Sequence, residues 1–229
     1  ILVVELMNQL ILGGFEVEEL IQVRLDKKTQ IALEISATAN RSDSLSVQGL
    51  SREIMTFFPT NLKISNYSLP QFHWQPILDP GVTILPNNVD CSALIAVKLE
   101  NVINVQVPKW IQEKLKSSNI TVTNTFLDFE NYIRLETGYV FLCYDFLKIC
   151  SQLESSTFQL SLSKGKESED WMDSLGASYS LNASIGVIRA NHEILSVTGI
   201  SPHQDYSYSS KTTSFLIEAS IFDANKVRQ

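Results

Sequence analysis

Ala37-Thr38-Ala39-Asn40-Arg41-Ser42-Asp43-Ser44-Leu45-Ser46-Val47-Gln48-Gly49-Leu50-Ser51-Arg52-Glu53 is a turn feeding a helix. Asn40 shapes the turn, and Ser42 or Asp43 is expected to cap a helix whose Val47, Leu50, Ile54, Phe57 and Phe58 recur at helical spacing. Gly49, inside that helix, admits close packing. Upstream, Val17 to Val23 and Ile31 to Ser36 read as two short strands around the polar Asp26-Lys27-Lys28 turn. Before them, Val3, Leu6, Met7 and Leu10 fall at i, i+3, i+4 and i+7, one helix face, and Gly13-Gly14 supplies the stop. Residues 1–58 are therefore expected to form a helix–hairpin–helix domain, small for a self-sufficient core.

Downstream the texture changes. Pro59, Pro70, Pro76, Pro80 and Pro86, five of the seven prolines, fall within 59–90, which excludes helix and predicts a linker carrying one strand. A second domain, 91–229, is expected to open with a strand at Ala93 to Val105 and a helix begun by Pro108, with Val107, Trp110, Ile111 and Leu115 on one side. Another helix is predicted over Phe126 to Glu136, ended by Gly138. The rest reads as strands: Val140 to Phe146, Thr157 to Ser163, Ile185 to Ala190, Ile194 to Gly199 and Ser214 to Ile221, with Lys164-Gly165-Lys166 as a hairpin tip. Helices and strands segregate rather than alternate, so the fold class is α+β.

The 229 residues carry 18 Lys and Arg against 25 Asp and Glu, a net charge of −7, and are 44% hydrophobic. That balance supports a packed core and argues against a strong nonspecific grip on nucleic acid, which needs surplus cations to displace counterions. No uncharged apolar run reaches the length of a membrane span. Three cysteines without a Cys-x-x-Cys pair argue against a disulfide framework or structural zinc and fit a reducing compartment. The chain starts at Ile1, without an initiator Met and with an apolar helical stripe already under way, and stops at Val227-Arg228-Gln229 without a terminating pattern. A fragment of a longer chain is expected.

Residue chemistry alone is sparing. No dinucleotide fingerprint, Walker loop or zinc-type His spacing is present. His203 with Asp205 has the residue types of a base and its orienter, but lies in a Tyr/Ser-rich loop where two solvated polar residues are the simpler account. Glu218 stands out within Phe215-Leu216-Ile217-Glu218-Ala219-Ser220-Ile221-Phe222. A carboxylate there must be paired, functional or on the solvated face of an alternating strand, the last being the first expectation.

The opening stretch resembles the "T-P-N-R-x-D-x-L-S-x-x-G-x-A-R-E" segment of phenylalanyl-tRNA synthetase β subunits. Pro108-Lys109-Trp110-Ile111-Gln112-Glu113-Lys114-Leu115 resembles the family's "P-x-W-x-x-x-x-L", and Phe126-Leu127-Asp128-Phe129-Glu130-Asn131-Tyr132-Ile133-Arg134-Leu135-Glu136-Thr137-Gly138 its "V-V-D-V-T-N-Y-V-x-L-E-L-G". Gly14-Phe15-Glu16-Val17 is similar to "G-L-E-V", and Leu216-Ile217-Glu218-Ala219-Ser220-Ile221-Phe222-Asp223 to "L-L-E-x-A-x-F-D". On that resemblance Asn40, Arg41, Asp43, Asp128, Asn131 and Tyr132 are structural motif residues. The resemblance implies a subunit of an enzyme that uses ATP and Mg2+ to charge tRNA(Phe), with the aminoacylation site on a partner α subunit in an αβ-type hetero-oligomer. This chain itself is expected to bind neither nucleotide nor metal, and no membrane.

Two departures matter. The family inserts an OB-type tRNA-binding domain between "G-L-E-V" and "T-P-N-R", yet Val17 and Asn40 stand only 23 positions apart. That reduction, with 12 Lys to 6 Arg, fits a plastid-type chain in the chloroplast stroma, the cytoplasm being the alternative. The second departure concerns the family's editing domain, which hydrolyses tyrosine misattached to tRNA(Phe) and which 91–229 resembles. Its "G-Q-P-x-H-A-F-D" motif reads Gly138-Tyr139-Val140-Phe141-Leu142-Cys143-Tyr144-Asp145 here, with Leu142 at the histidine, and Pro202-His203 stands at a Gly-Gly pair. Only Glu218 survives, so a degenerate editing site is expected. A stand-alone hydrolase of mischarged tRNA and a non-catalytic interaction module are the alternatives.

Overall fold

The computed structural model describes residues 2–25, 28–58, 82–84, 91–103 and 105–223. The chain packs as two compact units, each entered twice: 1–68 with 105–140, and 69–104 with 141–229. Most of the Pro-rich linker and the centre of the Asp26-Lys27-Lys28 turn lie outside the described residues.

In the first unit, helix α1 (Val3–Leu12) ends as expected. Gly14 takes φ +88°, and the Phe15 N–H returns to the Leu10 carbonyl, burying both side chains. Strands β1 (Glu16–Leu25) and β2 (Lys28–Ser36) form an antiparallel hairpin, and helix α2 (Val47–Phe57) follows. The cap of α2 differs from the expectation at Ser42 or Asp43: Ser46 Oγ accepts the Gly49 N–H at 3.0 Å, while Ser42–Ser44 coil into a 3-10 turn. Asp43 is drawn instead to Arg41, whose guanidinium donates to Asp43 Oδ1 and Oδ2, to Ser44 Oγ and to Glu53 Oε2 at 2.7 Å, and stacks over the Phe15 ring.

Helices α3 (Lys109–Ser117) and α4 (Leu127–Thr137), placed after the linker by sequence order, belong to this first unit. Within 105–140 the two helices build a core of their own. Val107, Ile111, Leu115 and Tyr132 form a buried cluster, with Trp110 edge-on to the Tyr132 ring at 5.1 Å. Asp128 is fully buried because it accepts the Thr123 N–H and hydroxyl and the Asn124 N–H, all within 3.0 Å, at the start of α4. Gly138, at φ +78°, ends α4 as predicted.

The second unit is built mainly of strands. From the linker region, β3 (Val82–Ile84) is described, and β4 (Cys91–Leu99) ends at Leu99, short of the expected Val105, with Asn101 beyond it at φ +58°. After β5 (Leu142–Asp145) comes α5 (Phe146–Leu153), a helix the sequence reading did not assign, its strand over Val140 to Phe146 having taken in only the first residue. Asp145 Oδ1 caps it by accepting the Leu147 and Lys148 N–H groups, and the buried Phe146 and Ile149 face inward. Strands β6 (Phe158–Lys164), β7 (Glu169–Met172), β8 (Ser178–Leu181), β9 (Gly186–Ala190), β10 (Glu193–Val197), β11 (Ser201–Pro202) and β12 (Phe215–Phe222) complete the unit. One sheet runs β11-β10-β9-β6-β3, antiparallel except β3 with β6, and another runs β4-β12-β5. Lys164-Gly165-Lys166 is not a hairpin tip: β6 pairs with β9, and the β7–β8 hairpin is inserted between them. The whole is mixed α+β.

Candidate functional site

Strand β12 sits between β4 and β5, and Glu218 lies opposite Ala96 on one side and Leu142 on the other. Directly opposed residues share a face, so the position where the resemblance expects a histidine is the cross-strand neighbour of the glutamate. Tyr144 is opposite Leu216, two residues from Glu218 on that same face. Pro202, at the expected glycine pair, lies opposite Ser196 on β10. Three motif positions far apart in sequence therefore converge around Tyr144 and Ser196.

The solvated-face expectation for Glu218 is overturned. Its exposure is 3%, because β4 and β5 flank it and the Tyr144 and Ser196 side chains cover it. The fully buried Tyr144 hydroxyl lies 3.3 Å from Glu218 Oε2 and 2.9 Å from Ser196 Oγ, and the Ser220 hydroxyl donates to Glu218 Oε1. Burial pushes the Glu218 carboxyl above the usual carboxylate range, against the opposing pull of the Ser220 and Tyr144 hydrogen bonds. Burial and the neighbouring Glu218 push the Tyr144 phenol well above its ordinary value, so it stays a neutral hydroxyl. The ring belongs to one buried apolar cluster with Phe146, Leu160, Ile188, Leu195 and Leu216. A buried acid in such surroundings can grip a hydroxyl as donor and acceptor.

His203 and Asp205 do not form a dyad. The Asp205 backbone N–H donates to His203 Nδ1 at 3.2 Å, so that nitrogen is an acceptor and cannot offer a proton to Asp205 Oδ2, 3.7 Å away. His203 instead caps the 3-10 turn Gln204–Tyr206, with its ring near those of Trp171 and Tyr206. In the first unit, Asn40 Oδ1 accepts the Thr38 hydroxyl at 2.7 Å in the turn, and half-buried Asn131 accepts from Arg134. The Arg41 guanidinium holds the Asp43 carboxyl below its ordinary value, and Tyr132 is core.

Tyr144 and Ser196 are the members that sequence reasoning passed over. A Tyr inside an apolar strand reads as core, and no local pattern links Ser196 to Glu218. Among the described residues, no three His, Cys, Asp or Glu side chains converge into a group that could hold a metal, and no helix is long and apolar enough to cross a membrane.

With this geometry in view, the B3/4 domain family profile matches residues 90–229. Over 225 residues the chain is 44% identical to the chloroplastic phenylalanine–tRNA ligase beta subunit of Phaeodactylum tricornutum, covering 98% of this chain and 32% of that protein. It is 27% identical over 226 residues to the chloroplastic beta subunit of Porphyra purpurea, covering 98% of this chain and 31% of that protein. The chain thus spans about a third of the length of these relatives. A crystal structure of an N-terminal fragment of the phenylalanyl-tRNA synthetase beta-subunit from Pyrococcus horikoshii aligns with 99% of this chain and 65% of its own, at TM-score 0.40 and 12% identity.

Proposed function

This chain belongs to the B3/4 domain family and corresponds to a region of phenylalanine–tRNA ligase β subunits, and on that premise we propose that it serves as part of such a subunit in a plastid. The proposal is carried by the 44% identity to a chloroplastic β subunit across nearly all of this chain. In this reading the complete enzyme joins phenylalanine to tRNA(Phe) with ATP and Mg2+, and the α subunit holds the aminoacylation site. This chain supplies scaffold and subunit contacts. Among the described residues, no acid, His or Cys set converges to hold Mg2+.

Residues 91–229 act, on this reading, as an editing-type domain that has lost its activity. Telling tyrosine from phenylalanine requires a polar group free to meet the phenol hydroxyl. Glu218 is sealed from solvent and engaged by Tyr144, and Leu142 beside it has neither a proton to give nor a lone pair. The same closure counts against a stand-alone hydrolase. The test is co-expression of the complete polypeptide carrying this sequence with a plastid-type α subunit. The reading expects the two to co-purify and to charge tRNA(Phe) when ATP is present. A soluble, folded polypeptide that neither binds α nor supports charging would overturn it.

A further inference from the structure

We propose that the free edge of β2 is a docking groove for an extended segment of a separate polypeptide, apolar at every second residue and carrying Lys or Arg between. A cavity of about 550 Å3 lies within the first unit, in the size range of binding sites. Residues 30–35 of β2 line it without a break. Successive strand residues point to opposite faces, so a lining that takes in both sets follows the edge of the strand rather than either face. Six residues of strand make the groove about 20 Å long. The rest of the lining includes Leu45, Val47 and Leu50 around the start of α2, Ser118 after α3 and Leu135 of α4, which wall the edge in.

Backbone, apolar surface and charge together define the occupant. Among the described residues β2 pairs with β1 alone, and 29–35 make no hydrogen bond outside that hairpin. The N–H and C=O groups on the far side of the strand therefore stand open to a third strand, which a marginal two-stranded hairpin would gain from. Ile31, Leu33 and Ile35 share one face, with Leu20 opposite Leu33, so an added strand meets apolar neighbours at alternate positions. On the other face Glu34 stands directly opposite Glu19, a like-charge pair that weakens the hairpin. Neither carboxylate has a cation against it among the described residues, and Glu34 is the one charged side chain in the described lining. A Lys or Arg on the added strand would relieve that repulsion. RNA would bring phosphates to the same acid. A second copy would bring an edge recessed behind the same helices, and the two walls would collide before the strands met. The inference uses the first unit only, and stands whether or not 91–229 retains editing activity.

The experiment uses the complete polypeptide carrying this sequence, purified without a partner, and a blocked heptapeptide probe, Thr-Val-Lys-Val-Lys-Val-Thr, followed by ligand-observed NMR. Its Val residues suit the apolar face and its Lys residues the face of Glu34. Saturable binding is expected, about tenfold tighter at low salt than that of the same peptide with Glu in place of Lys, and the preference should shrink as salt is added. Glu34→Gln removes a repulsion, so it should fold as well as the parent by circular dichroism while losing most of the preference. Glu19→Gln serves the same purpose if Glu34→Gln does not fold. Peptides N-methylated at every Val and, separately, at every Lys block opposite backbone edges, so one should lose binding and the other keep it. No saturable binding, equal affinity for the Lys and Glu peptides, or equal binding by the two methylated peptides would overturn the proposal. A concentration-dependent dimer that the peptide dissociates would place a second copy in the groove and overturn it as well.

Discussion

Gly49→Ala sets helix propensity against packing, and the geometry decides which wins. In an open helix the change stabilises by about 1 kcal/mol. Here a Cβ at position 49 would stand 1.9 Å from the Asp43 carbonyl oxygen, 3.0 Å from the Asp43 carbonyl carbon and 3.1 Å from Ser44 Cα. All three are backbone atoms, so no side chain can swing aside. The turn that would have to retreat is pinned by Arg41, which grips both Asp43 and Glu53. Overpacking of this kind costs about 1–3 kcal/mol, and a contact this short belongs at the upper end. Setting about 3 kcal/mol of strain against about 1 of propensity leaves a net loss of about 2 kcal/mol. Urea unfolding followed by far-ultraviolet circular dichroism is the assay, because four of the five described helices lie in this unit. An unchanged or raised midpoint would refute the claim that Gly49 is required by the closeness of the 3-10 turn.

The buried Glu218 predicts a pH slope. Its carboxyl is raised in the folded chain and ordinary in the unfolded one, so the folded state holds the extra proton between those values. The stability it lends is fully present below the ordinary carboxylate range. It is lost as pH rises towards the raised value, at up to about 1.4 kcal/mol per pH unit. Tyr144, Cys91 and Ser220 are the groups acting on or sensing that carboxyl. Urea midpoints across pH should flatten in Glu218→Gln, and parallel profiles would contradict the burial. Glu169→Ala should destabilise the second unit by about 3 kcal/mol, because it strands the buried Arg189 guanidinium that its carboxylate holds at 2.9 and 2.6 Å. The figure is taken at the low end since the Glu169 side chain keeps 23% of its surface exposed; a loss under about 1 kcal/mol would mean that water replaces the pair. Asp145→Ala removes the α5 cap and the acceptor of the Thr212 hydroxyl and should cost about 2 kcal/mol. Asp145→Asn should recover most of that in the same denaturation experiment, since its amide oxygen can still accept from the helix.

Where signals were local, the sequence announced the structure. Gly13-Gly14 ends α1, Gly138 ends α4 and Pro108 precedes α3, each through backbone preferences carried by a few adjacent residues. Helix α5 was readable but missed: Phe146, Ile149, Cys150 and Leu153 keep helical spacing behind the Asp145 cap, while the strand read over Val140 to Phe146 took in its first residue. Strands β7 and β8 expose most of their residues, so they leave little alternation to find. The joining of α3 and α4 to the N-terminal unit is non-local, and chain order alone favoured the other division. Glu218 was conspicuous as an acid in an apolar run. Its burial was not, because the cover comes from Tyr144 and Ser196, 74 and 22 positions away.

The central claim, that this B3/4 domain is closed to tyrosine, is tested most directly by incubating tyrosyl-tRNA(Phe) with the assembled enzyme containing this chain. Release of tyrosine should be no faster than spontaneous ester hydrolysis, and unchanged by Glu218→Ala. Enzyme-dependent hydrolysis that spares phenylalanyl-tRNA(Phe) and disappears in Glu218→Ala would contradict the account.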